Sequence, residues 1–108
     1  MTSQSDGQSN VQQAFDNALR LQCGIAGIVP QGTGNNLMMV NPATGTQLTV
    51  TYKSAHIFLH QSNWGTSYIE YVPCAGAVKL RIRNNPDLMF ADDAAKHLME
   101  RLLNEEKL

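Results

Sequence analysis

Two stretches of this chain alternate in the way a half-buried β-strand requires. Leu48, Val50 and Tyr52 alternate with Thr49, Thr51 and Lys53, and further on Val78, Leu80 and Ile82 alternate with Lys79, Arg81 and Arg83. Successive side chains of a strand point to opposite faces, so each stretch has one row to bury and one to show to water or to a partner. Short turn-forming segments separate the strands, which allows hairpins but not the long crossovers that parallel strands need. The strand region is bracketed by patterns of a different period. Val11, Ala14, Phe15, Ala18 and Leu19 recur at helical spacing, as do Ala94, Ala95, Leu98, Met99, Leu102 and Leu103.

Residues 1–8 offer almost nothing to bury and read as a tail, leaving 9–108 as a single α+β domain, since chains of 108 residues rarely divide into two cores. The first helix is expected from Ser9, with Ser9 or Asn10 as its cap, and Gly24 as its stop. Ile25–Val29 then reads as a first strand, Pro30–Asn36 as a loop, Leu37–Val40 as a second strand and Asn41–Thr46 as a hairpin connection. Gln47–Lys53 and Ala55–His60 follow, then a hairpin loop at Ser62–Thr66, a strand at Ser67–Val72, a break at Pro73–Gly76 and the Val78 strand. Leu88–Phe90 fits either a short last strand or a helix that Asn85 caps and Pro86 opens. In the last helix, Asp92 and Asp93 at the start and Arg101 and Lys107 towards the end have the signs its dipole favours.

The expected architecture is α+β: a mostly antiparallel, bent sheet or partial barrel of five to seven strands, flanked by an N-terminal and a C-terminal amphipathic helix. In element order it resembles a pleckstrin-homology-like barrel with an added first helix. The competing layout is a flatter sheet with both helices on one face, as in helix-sheet-helix RNA-binding domains.

Several function classes have no support. The formal net charge of −1 excludes a globally basic nucleic-acid protein, although not a local basic patch. No apolar run is long enough for a membrane span, the first residues lack a basic and apolar leader pattern, and two cysteines, Cys23 and Cys74, make neither a disulfide framework nor a zinc site. A cytoplasmic location is expected. No catalytic constellation appears, so no catalytic residue, metal or cofactor is assigned, and the protein is expected not to be an enzyme. His56 and His60 sit about 13 Å apart on a strand, too far to share an ion. Cys74 and the Gly32-Thr33-Gly34 loop read as an idle thiol and an ordinary loop, and His97 as solvent-exposed.

The informative residues are Lys79, Arg81 and Arg83, three cations along one strand face spanning about 13 Å. Residues 24–86 carry a formal charge of +3 and residues 87–108 one of −3. The stripe suits phosphate or carboxylate recognition, or is simply a solvated or aggregation-deterring edge face. Trp64, the single tryptophan, is expected at a hairpin tip, as an anchor for a partner or as a lid on the core. The expectation is therefore a non-enzymatic interaction module that binds a protein partner through an exposed strand face and the Trp64 hairpin, with self-association as a further expectation. The alternative is an anion-binding domain for nucleic acid, nucleotide or phosphoinositide that uses Lys53, Lys79, Arg81 and Arg83 with Trp64 for stacking.

Overall fold

Tight turns join every strand to its neighbour in sequence, and the sheet records this directly. In the computed structural model, which describes residues 6–32 and 35–108, the order is α1 (Asp6–Ala26), β1 (Asn36–Val40), β2 (Gln47–Tyr52), β3 (His56–Gln61), β4 (Gly65–Cys74), β5 (Ala77–Ile82) and α2 (Ala91–Asn104). The strands form one antiparallel meander in the spatial order β1-β2-β3-β4-β5. The sheet is open: β1 and β5 are its two edges, and no pairing closes them into a barrel.

Strand parity decides the layers. Leu37 and Met39, Leu48, Val50 and Tyr52, Ile57 and Leu59, Ile69, and Leu80 and Ile82 are all buried, and each strand's alternate residues are not. The buried set shares one core with Phe15, Ala18, Leu19 and Cys23 of α1 and with Ala94, Ala95, Leu98, Met99 and Leu102 of α2. Both helices therefore lie on the same face. Three long-range polar contacts fix them there. The Tyr52 hydroxyl donates to Asp16 Oδ1 at 2.8 Å and the Tyr71 hydroxyl to Gln12 Oε1 at 3.3 Å, pinning α1. Buried Asn41 donates from Nδ2 to the Leu102 carbonyl at 3.3 Å, in the last turn of α2, where the Glu105 amide also reaches that oxygen at 3.4 Å.

Several boundaries differ from the sequence expectation. Helix α1 includes Asp6–Gln8 of the expected tail, while residues 1–5 of that tail lie outside the described residues. Gly24 does not stop the helix. It continues to Ala26, Gly27 takes the left-handed conformation at φ 77°, and the Ile28 amide bonds back to the Cys23 carbonyl at 2.8 Å. Ile25–Val29 is consequently no strand, because a short apolar run next to a helix fits the helical period as well as the extended one. Of this segment Ile28 is buried in the core and Ala26 packs against it. The expected five to seven strands number five among the described residues.

At the other end, β4 runs through Pro73 to Cys74, and Ala75-Gly76 makes the turn, with Gly76 at φ 74°. Proline fits here because β3 reaches only to Glu70 in register, so the side of Pro73 turned away from β5 has no partner strand to bond. Leu88–Phe90 makes neither of the two expected elements in full. Met89 forms a single bridge to Leu80, and α2 begins after Phe90, which supplies no side-chain cap. His97 is half-buried on α2, not solvent-exposed, since the helix's buried stripe widens to take both Ala94 and Ala95. Among the described residues no helix is long and apolar enough to cross a membrane.

Candidate binding face

With both helices on one side, the other side of the sheet is uncovered. Its side chains follow from parity: Asn36, Met38 and Val40 on β1, Gln47, Thr49 and Thr51 on β2, His56, Phe58 and His60 on β3, Thr66, Tyr68, Glu70 and Val72 on β4, Lys79 and Arg81 on β5, and Arg83 just beyond. None of them is buried.

Register then groups these residues into rows that run across the strands. One row reads Thr51, Phe58, Tyr68 and, past the end of β5, Arg83, whose amide donates to the Tyr68 carbonyl at 3.0 Å. Directly opposed side chains on antiparallel strands lie within contact range, so Phe58 and Tyr68 make an aromatic patch in the middle of the face. His56 completes it, with its ring 5.9 Å from that of Phe58 and 5.3 Å from that of Tyr68, the latter edge-on at 86°. The adjacent row reads Lys53, His56, Glu70 and Arg81. The Lys53 amide donates to the His56 carbonyl at 3.0 Å, and the other positions pair in register.

The three cations of β5 have different local partners. Arg81 is held by Glu70 at 2.7 Å. Arg83 lies over the Tyr68 ring, 5.8 Å from its centroid, and Lys79 over the Phe90 ring at 4.8 Å, both close enough for cation–π attraction. An open groove of about 440 Å³ runs between Tyr68, Glu70, Arg81, Arg83 and the Asn84-Asn85-Pro86 turn, and a smaller one of about 250 Å³ lies against His56, Phe58 and Tyr68. Tyr68 walls both. Asn84, at φ 66°, takes the left-handed conformation that turns the chain immediately after Arg83.

Of the residues singled out in the sequence, Lys79, Arg81 and Arg83 share one face as expected, and register adds Lys53 across the sheet from Arg81. Trp64 lies half-buried in the turn between β3 and β4, four positions along the chain from Tyr68, whose carbonyl bonds the Arg83 amide, and eight from Val72, which pairs with Lys79; at the rise of a strand these are about 13 and 26 Å. The aromatic neighbours of the cations are Phe58, Tyr68 and Phe90. Sequence reasoning passed over Phe58, although a signal was present: within His56–Gln61 it is the large apolar residue on the polar parity, between buried Ile57 and Leu59. His56 and His60 lie on the same strand face, on either side of Phe58, and His60 Nδ1 is 3.3 Å from Thr66 Oγ1.

Cys23 and Tyr52 belong to the opposite, buried layer. Burial pushes the Cys23 thiol up, and burial followed by the hydrogen bond to Asp16 pushes the Tyr52 phenol well above its ordinary value. Cys74 faces the Val72 carbonyl at 3.6 Å.

The chain matches no protein-family model, no curated protein and no solved structure.

Proposed function

We propose that this protein is a small binding module, not an enzyme, and that the uncovered face of its sheet is the working surface. One observation carries the reading. Phe58 is 36% exposed and stands in register with Tyr68 on a face that the fold does not need for its core, flanked by arginine and lysine. Large aromatic and arginine side chains on one surface are the composition of recognition sites, where rings supply contact area at small entropic cost and guanidinium groups supply directed hydrogen bonds.

The ligand that suits such a face presents flat apolar groups together with anionic oxygens. Arg83 and Lys79 supply the charge, and Glu70 is already engaged by Arg81. The test is site-specific photo-crosslinking in the protein's own cells, with a photoreactive amino acid at position 58 or, for comparison, at position 21 on the exposed side of α1. The reading expects adducts from position 58, whatever the class of molecule captured. Adducts from position 21 with none from position 58 would refute it.

A further inference from the structure

The charges of this molecule are segregated by layer, and the segregation bears on what the sheet face binds. The strands and their turns hold Lys53, Lys79, Arg81 and Arg83 against one carboxylate, Glu70, while the helices and their flanks hold the other eight carboxylates against four cations. The single carboxylate on the sheet is ion-paired within the face. Among the described residues Lys53, Lys79 and Arg83 form no ion pair. The face therefore offers uncompensated positive charge on two sides of the Phe58–Tyr68 patch: Arg83 beyond Tyr68, and Lys53 beyond His56 at a distance of three strand spacings, about 14 Å, from Arg81.

We infer that the ligand of this face is single-stranded nucleic acid, with unpaired bases stacking on Phe58 and Tyr68 and the sugar-phosphate chain passing Arg83 and Lys53. The inference rests on the proposed binding face and names its ligand class. Three observations favour it over a protein partner or a duplex. The rings sit on the floor of a sheet between cations, the arrangement in which a sheet surface stacks two or three splayed bases. Thr49, Thr51 and Thr66 surround the patch with hydroxyls suited to base edges and sugars, and the aliphatic residues Met38, Val40 and Val72 are confined to its margins. Among the described residues no helix stands on this face, and stacked base pairs cannot present their faces to Phe58.

Fluorescence anisotropy of labelled oligouridylate and oligothymidylate of about 12 nucleotides, beside a duplex of the same length, tests this on the full chain at about 50 mM salt. Both single strands, or the RNA alone through its 2′-hydroxyls, are expected to bind, and the duplex more weakly. Phe58→Ala should weaken binding at least about tenfold, and Phe58→Tyr, which keeps a stacking ring, should restore it. Arg83→Gln should reduce the slope of log affinity against log salt by about 0.7, the value for one phosphate of a single strand. Leu21→Ser on the exposed side of α1 should change nothing. A cooperative urea transition starting well above zero denaturant establishes that each variant is folded. Absence of single-strand binding at low salt, preference for the duplex, or a Phe58→Ala protein that binds as well as its parent would overturn the inference. If position 58 still crosslinks to a protein in cells, the face stands and only its ligand class is wrong.

Discussion

Phe58 and its two neighbours on β3 belong to different molecules in energetic terms. Ile57 and Leu59 are sealed against the helices, whereas Phe58, on the far side of the same backbone, is partly open to solvent. The inner face of the sheet is a packed interior in which every methylene removed leaves a cavity. The outer face can be rewritten with little effect on folding, and that freedom allows it to carry recognition. A strand with period two thus lets stability and binding be altered one residue apart.

The sharpest way to break this contrast is to truncate the two sides of β3 in turn. Leu59→Ala should cost about 3 kcal/mol, read as a fall in the urea midpoint at unchanged slope, because the side chain is fully buried and its site is closed by both layers. Phe58→Ala should cost less than about 1 kcal/mol, the scale of a cross-strand aromatic pair. Equal losses would mean that the outer face is part of the interior after all.

Asn41→Ala comes next, at about 1–2 kcal/mol, since it deletes a buried side chain that donates to the Leu102 carbonyl and accepts from the Ala43 amide at 2.9 Å. Denaturation monitored by far-ultraviolet circular dichroism reads this loss. A neutral outcome would show that the end of α2 is anchored by packing alone.

A smaller effect separates the faces by pH. Burial first, and then the bond to Asp16, raise the Tyr52 phenol above its ordinary value near 10. The folded protein consequently keeps a proton that the unfolded chain gives up. The stabilisation is complete below pH 10 and declines as pH rises beyond it. Urea midpoints measured at about pH 8 and about pH 11 should therefore diverge, and Tyr52→Phe should narrow the gap. Tyr71 and Cys23, also raised by burial, contribute to what is left. The smallest effect is expected on the outer face, where a double-mutant cycle on Glu70 and Arg81 should give a coupling of about 0.5 kcal/mol or less, because both side chains are substantially exposed. A coupling of several times that size would place the pair among the structural interactions.

Much of the fold could be read in the sequence because strand parity and helix period are local properties. The helices, the meander and the shared face of Lys79, Arg81 and Arg83 all follow from spacing. The layer arrangement does not. Whether two helices lie on one side of a sheet or the sheet closes into a barrel depends on contacts such as Tyr52 to Asp16 and Asn41 to Leu102, which join residues 36 and 61 positions apart. The same limit hid the partner of the basic stripe. Trp64 stood out by its rarity, but which aromatic residue neighbours Arg83 is set by the register of β4 on β5 and β3, and that register places Tyr68 and Phe58 there.

The two rims of the sheet restrict how this molecule can meet others. On β1 the amide and carbonyl of Met38 are both engaged by Gln31, at 2.7 and 2.8 Å, and on β5 those of Leu80 are both engaged by Met89 at 2.8 Å, with the Ile82 carbonyl taken by the Asn85 amide at 2.9 Å. A would-be sixth strand finds single free groups but no run of them. Fibril growth by edge-to-edge zipping has no template here, so concentrated solutions should remain free of cross-β order even though one side of the sheet is bare. Whatever settles on this protein must lie across the strands, like a hand laid on a washboard, and cannot be woven in beside them.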